Sequence, residues 1–277
     1  SAGRLPRPRA SRARQCRSAA GASAAEVTRR LLILGGTGEA RRLAERTLAQ
    51  FGSRLVVITS LAGRTAEPVP VAGEVRYGGF GGAAGLAAYL RGNAIDLLVD
   101  ATHPFADQIS RNAAEASAAT GIPRLAIVRP PWQRQPGDRW IEVPDAPAAA
   151  AAVGPLGRRI WLTLGTADIE AFTSLTEHWF LVRRVDPPPA PLPLCQAEIL
   201  LARGPFVLED ERRILAEQRI DAVVSRASGG TATVAKIDAA RDAGIPVVLI
   251  ARPPPPPEPL VPTVEAALGW LRSRLDA

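Results

Sequence analysis

Methionine is absent from the 277 residues, lysine occurs once, and histidine, cysteine and tyrosine occur twice each. Each scarcity removes a class of chemistry. Cys16 falls in an Arg-rich tail and Cys195 in a proline-rich loop, so they give neither a disulfide framework nor a thiolate metal site. His103 and His178 have no metal-like spacing, and no metal is expected. The tyrosines, Tyr77 and Tyr89, form no Tyr-x-x-x-Lys pair with Lys236, which excludes a short-chain dehydrogenase. Walker spacing is missing as well. No apolar run reaches the roughly 18 residues of a membrane span, and no apolar core of a secretory signal lies near the start.

Acidic residues are scarce only at one end. Residues 1–30 hold eight arginines against Glu26, whereas the remaining 247 residues balance 26 bases with 26 acids. The +7 formal charge therefore resides in a tail, and the body lacks the basic excess of a nucleic-acid enzyme. Residues 1–27 carry few large apolar side chains and are expected to be disordered. They read either as an organellar transit peptide or as the product of a mis-assigned start codon. The 33 arginines, with abundant alanine and proline, look like GC-rich coding bias. A cytoplasmic globular protein is the expectation.

What is present is organised around Leu31–Leu43, LLILGGTGEARRL. An apolar run that breaks on Gly35 and Gly36 and opens into a charged helix reads as strand, glycine turn and helix N-terminus, which accepts phosphate. Thr37 is the expected N-cap and Glu39 lies in the first turn. The helix is predicted over Gly38–Phe51 and the second strand over Leu55–Thr59. No acid stands between Leu55 and Ala66. The end of a second strand is where such folds read the adenosine ribose, so Ser60 and Arg64 are either a clamp for a 2′-phosphate or an ordinary polar loop. Gly78 and Gly79 form a flexible loop that either lines the ligand or merely connects.

Strand Asp96–Ala101 ends at Thr102-His103-Pro104-Phe105, which should share the crevice with Gly35–Thr37. His103 is read as a site residue or as a cap for helix Phe105–Thr120. Strand Pro123–Val128 leaves Arg129 and Trp132 at another carboxyl end. Between Ile141 and Gly157 the sequence turns to Pro, Ala and Gly, and a domain cut near residues 145–155 is expected. The predicted units are 28–150 and 151–277, the first binding cofactor and the second substrate. The later half repeats the strand and helix alternation. Thr166 and Arg184 follow two of its strands, and Ser225-Arg226-Ala227-Ser228-Gly229-Gly230 precedes a helix predicted over Thr231–Ala243 that carries Lys236. This second glycine turn reads as another anion site. Its cations, with Arg129 and Arg184, either converge on a polycarboxylate or are scattered over the surface.

Taken in order, ILGGTGEARRLAE, DATHPFADQISRNA, RPPW, LTLGT, RRVDPPP, SRASGG and AKIDAARDAGIPVVLIARP resemble the precorrin-6A reductase family (CobK/CbiJ-like) of cobalamin biosynthesis. The resemblance spans about Leu31 to Pro253. It implies an α/β fold of two Rossmann-like domains, with mainly parallel sheets flanked by helices and an active-site cleft between them. It implies NADPH as cofactor and hydride transfer to a macrocycle double bond, converting precorrin-6A to precorrin-6B. Thr102, His103 and Phe105 would position the reacting groups, with His103 as a candidate proton donor. Gly35, Gly36, Thr37, Glu39, Ser60, Arg64, Gly78 and Gly79 would bind the cofactor. Arg129, Trp132, Thr166, Arg184, Ser225, Arg226, Ser228, Gly229, Gly230 and Lys236 would bind the tetrapyrrole. The implied state is a monomer or homodimer, with hand-over to neighbouring corrin-pathway methyltransferases. Gly38 replaces the serine of many members, and Arg226 their usual lysine. A cobalt-precorrin-6A reductase, an S-adenosylmethionine methyltransferase and a non-catalytic NADPH-binding regulator remain as alternatives.

Overall fold

The computed structural model describes residues 28–63 and 69–276; Arg64 and the tail 1–27 lie outside the described residues. The chain begins with β1 (Arg29–Leu34), α1 (Gly38–Phe51), β2 (Leu55–Leu61) and β3 (Glu74–Tyr77). Next come α2 (Gly82–Gly92), β4 (Leu97–Asp100), α3 (Asp107–Thr120) and β5 (Arg124–Ile127). β6 (Trp140–Val143), α4 (Ala146–Val153), β7 (Arg159–Thr163), the one-turn α5 (Thr166–Ile169), β8 (Trp179–Arg184) and β9 (Ala197–Leu201) follow. The chain closes with α6 (Leu208–Glu217), β10 (Ala222–Arg226), α7 (Ala235–Asp242), β11 (Val247–Ile250), β12 (Leu260–Val261) and α8 (Val264–Leu275).

Two six-stranded sheets result, β12-β5-β4-β1-β2-β3 and β6-β11-β10-β7-β8-β9. Every strand pair is parallel. A parallel sheet covered on both faces needs strands apolar on both faces, and β1 supplies that. Leu31 and Ile33 face the cluster of α1 and α8, while Leu32 and Leu34 face α2 and α3. Each such side chain gains about 1.5–3 kcal/mol on burial. β7 does the same in the second sheet, with Ile160 and Leu162 toward α4 and Trp161 toward α6 and α7.

Strand pairing departs from the 150/151 cut expected of the sequence. β6 pairs with β11, Trp140 opposite Val247, and so belongs to the second sheet. Conversely, β12 pairs with β5, Leu260 opposite Ala126, and α8 packs on α1. The chain therefore crosses between the sheets twice, through 128–139 and through 251–259. The Pro/Ala-rich stretch read as a boundary is α4 itself. Asp145 caps it by accepting from the Ala148 amide at 2.9 Å, and Ala149, Ala150 and Val153 are buried on the sheet. The edge strands β9 and β12 were also not expected, being short and weakly patterned. The helix predicted from Thr231 starts only at Ala235. Thr231, Thr233 and Val234 are β-branched, and such residues resist a first helical turn.

Candidate active site

At the carboxyl edge of the first sheet, the Gly35 amide donates to the Ser60 carbonyl at 2.9 Å. A Cβ on Gly35 would lie 2.8 Å from Thr59 Cγ2, and Gly36 sits at φ +99° with nothing within 4 Å above it. Only glycines make this turn, and the opening they leave faces the first, acceptor-less amides of α1. Thr37 is the N-cap: its Oγ1 accepts from the Ala40 amide and donates to the Ala101 carbonyl at 2.6 Å, tying α1 to the end of β4. The cradle fits a dinucleotide pyrophosphate.

The loop after β4 is fixed by Asp100, which is buried and accepts from the amide and the hydroxyl of Thr102 at 3.1 and 2.7 Å. Thr102 is thereby committed to shaping the loop. His103 Nδ1 accepts from the Phe105 amide at 3.2 Å, which leaves Nε2 to carry the proton of the neutral ring. The expected cap of α3 is thus a turn of its own, with the helix starting at Asp107. Burial, then the charges of Arg129, Arg226, Arg252 and Lys236, push the His103 pKa down to about 4. A neutral imidazole at pH 7 is a poor proton donor, which weighs against His103 in that role.

Glu39 is half-buried, and its Oε1 lies 3.4 Å from Arg129 Nη1. Burial lowers the Arg129 pKa and Glu39 raises it. From there the first crossing is pinned to the second sheet. Arg252 donates from Nη1 to the Arg129 carbonyl at 2.9 Å and from Nε to the Ala227 carbonyl at 3.2 Å. The Gly230 amide donates to the Pro130 carbonyl, and Trp132 Nε1 donates to the Gly230 carbonyl at 2.7 Å. A Cβ on Gly229 would stand 2.2 Å from the Pro130 oxygen, and one on Gly230 2.7 Å from Arg129 Cδ. These glycines, read from sequence as ligand-binding, are consumed in docking the crossing. With α7 starting at Ala235, the turn does not lead straight into a helix N-terminus either.

Around the seam stand the second sheet's polar residues. Arg226 donates to Asp168 Oδ2 from Nε at 2.8 Å and stacks 4.9 Å from the Phe105 ring centroid. Arg184 donates to Thr166 Oγ1 at 2.7 Å. Ser225 is buried and donates to the Arg226 carbonyl, and Ser228 lies 3.4 Å from Thr233 Oγ1. Lys236 is buried, donates to the Thr233 carbonyl at 3.0 Å, and lies 5.3 Å from the Trp132 centroid. Burial and Arg183 push its pKa down to about 7, with Glu211 pulling the other way.

The structure thus gathers His103, Phe105, Arg129, Trp132, Arg226 and Lys236 at the seam, with Thr166 and Arg184 along the ends of β7 and β8. Ser60, Gly78 and Gly79 lie at the same carboxyl edge of the first sheet, on the β2–β3 side of the glycine turn. Sequence reading missed Asp100, Asp168, Arg76 and Arg252. The last was accessible: Arg-Pro-Pro follows β11 as it follows β5. Among the described residues no His, Cys, Asp or Glu cluster could hold a metal ion, and no helix is long and apolar enough to cross a membrane.

The model of the precorrin-6x reductase CbiJ/CobK family matches residues 30–272. The chain belongs to that family. It is 48% identical over 243 residues to a precorrin-6A reductase of Rhodococcus erythropolis, covering 87% of this chain and 97% of the relative. A cobalt-precorrin-6A reductase of Salmonella typhimurium is 28% identical over 236 residues, 81% of this chain and 88% of the relative. The solved structure of a CobK precorrin-6A reductase matches with a TM-score of 0.83 at 45% identity, over 89% of this chain and 97% of that one. This CbiJ/CobK member is therefore an oxidoreductase of the cobalamin pathway, and family membership implies a tetrapyrrole substrate and a nicotinamide cofactor.

Proposed function

We propose that the protein reduces metal-free precorrin-6A to precorrin-6B with NADPH in the cytoplasm. One observation carries the substrate reading. Four cations, Arg129, Arg226, Arg252 and Lys236, act on His103 at the seam, while Glu39 and Asp168 pair with only two of them. That positive excess suits a ligand with several carboxylates, and charge-assisted bonds of this kind contribute about 1.5–3 kcal/mol each. Identity of 44–48% to precorrin-6A reductases, against 28–29% to cobalt-precorrin-6A reductases, favours the metal-free macrocycle.

The nicotinamide cofactor supplies the hydride when bound. The turn Gly35–Gly38 and the first amides of α1 would hold its pyrophosphate, and the loop Thr102–Phe105 would set the floor beneath its reactive end. Arg129, Arg226 and Arg252 anchor the substrate's carboxylates and so orient the accepting carbon. His103, neutral, positions through its Nε2 proton. Lys236, 5.3 Å from the Trp132 centroid and near enough for its charge to act on His103, would serve as the proton donor, since a general acid works best with a pKa near the working pH. Trp132 and Phe105 cover the seam and exclude water.

The test is an anaerobic incubation with NADPH and precorrin-6A, followed by absorbance of the cofactor and mass analysis of the product. Oxidised cofactor and a gain of two mass units are expected. No turnover with metal-free substrate, but turnover with the cobalt form, would reassign the branch; none with either would overturn the reading.

A further inference from the structure

On the β2–β3 side of the glycine turn, parallel pairing sets Arg76 of β3 beside Ser60 of β2. Arg76 Nη1 donates to Ser60 Oγ and to the Gly78 carbonyl, both at 2.9 Å, and Nη2 donates to the Gly79 carbonyl at 3.1 Å. Its guanidinium carbon lies over an aromatic pair, 3.9 Å from the Phe80 centroid and 5.0 Å from that of Tyr89. The two rings meet edge to face at 5.2 Å. Such cation–π contacts hold the guanidinium in place without neutralising it.

The acceptors are all neutral. Among the described residues no carboxylate pairs with Arg76, whereas Arg129 has Glu39 and Arg226 has Asp168. Three of its five N–H bonds serve Ser60, Gly78 and Gly79, which leaves Nε–H and one Nη2–H for a further acceptor. Two N–H groups of a rigid guanidinium suit one phosphate, bound through two oxygens. Position agrees. The Gly35 amide bonds to Ser60 itself, so the phosphate turn and Ser60 are adjacent. A dinucleotide with its pyrophosphate over that turn carries its adenosine ribose across the end of β2. Open space lies above Gly78 and Gly79, where a Cβ would meet nothing within 4 Å.

We infer that Arg76 binds the 2′-phosphate of the cofactor's adenosine ribose and sets the preference for NADPH over NADH. The inference rests on the nicotinamide-cofactor reading of the cleft. It stands apart from Arg64, which lies outside the described residues.

The experiment titrates the whole protein with 2′,5′-ADP and with 5′-AMP by calorimetry, so that no turnover is needed. Wild type should bind 2′,5′-ADP about tenfold or more tightly than 5′-AMP. Arg76→Ala should bring that ratio to within about twofold of unity by weakening 2′,5′-ADP alone, and Arg76→Lys should keep part of it. Unchanged preference in Arg76→Ala, or its loss only in Arg64→Ala, overturns the assignment. Equal binding of both nucleotides by wild type overturns it too while leaving the cofactor reading intact. Binding of neither overturns both. Should Arg76→Ala not fold, Arg76→Lys and Arg76→Gln give the same comparison, with a lower ratio expected for glutamine than for lysine and equal wild-type-like ratios overturning the assignment.

Discussion

Lys236 and Trp132 meet across the seam between the sheets: Nζ lies 5.3 Å from the indole centroid, and the same indole donates through Nε1 to Gly230. The lysine comes from α7 and the tryptophan from the first crossing, so this contact joins the crossing to the second sheet, while the lowered lysine pKa comes from burial and from Arg183.

With a pKa near 7, Lys236 is protonated below neutrality and neutral above it. As an acid it should give a kcat that falls as pH rises through about 7. Lys236→Met should lower kcat by roughly 10²–10⁴ with cofactor binding little changed. Lys236→Arg keeps the charge but does not release a proton near neutrality, so it should be about as slow as the methionine variant. An arginine variant retaining more than about a tenth of wild-type kcat would reduce the residue to a charge partner.

His103 carries the opposite kind of prediction, one of stability. Its pKa is about 4 in the folded chain against the ordinary histidine value of 6.5 once the chain unfolds. Between those values the unfolded state binds more protons, so stability rises with pH across that window and is lost as pH falls from 6.5 to 4. The full loss is up to roughly 3 kcal/mol. Denaturant melts at pH 6.5 and pH 4 should show a smaller loss in His103→Gln than in wild type.

The glycines divide into two jobs that substitution separates. Gly229→Ala drives a methyl toward the Pro130 carbonyl at a φ of +67°, and a clash with backbone there should cost about 2 kcal/mol or more. Thermal melting should show it. Gly36→Ala meets no atom of the protein, so its folding cost is confined to the left-handed backbone, about 1–2 kcal/mol. Its methyl enters the opening over α1, and its main effect should be weaker binding of the cofactor.

These particulars mark what a sequence can disclose. The run Leu31–Leu34, the break at Gly35-Gly36 and the helix Gly38–Phe51 were legible because burial on both faces, a turn and an amphipathic helix each leave a local pattern. Thr102–Phe105 followed from its place at a strand's carboxyl end. Pairing of β6 with β11 and of β12 with β5 was not legible, since strands of four and two residues carry little pattern and their partners lie far away in the chain. The same blindness hid Arg76, whose meaning comes from what it touches, whereas Arg252 stood in the Arg-Pro-Pro that follows β11 as it follows β5. Glu39 was read by proximity to the turn, yet its side chain turns to Arg129. The commitment of Gly229 and Gly230 to the crossing was invisible for the same reason: local sequence shows that a turn needs glycine, not which surface approaches it.

Beneath Lys236, Arg183 and Glu211 form a buried bidentate pair at 3.0 and 2.7 Å, with the guanidinium 4.4 Å from the Trp161 centroid and 4.1 Å from that of Phe206. Removing one partner strands a buried charge, so Arg183→Met or Glu211→Leu alone should destabilise by about 3–5 kcal/mol, whereas replacing both should cost far less. The pH profile then separates packing from tuning. Arg183 lowers the Lys236 pKa more than Glu211 raises it, so the double variant should move the alkaline fall of kcat to higher pH. Glu211→Gln, if it folds, should move that fall to lower pH. An alkaline limb that stays in place in every folded variant would mean that the pair supports the core and does nothing to the lysine.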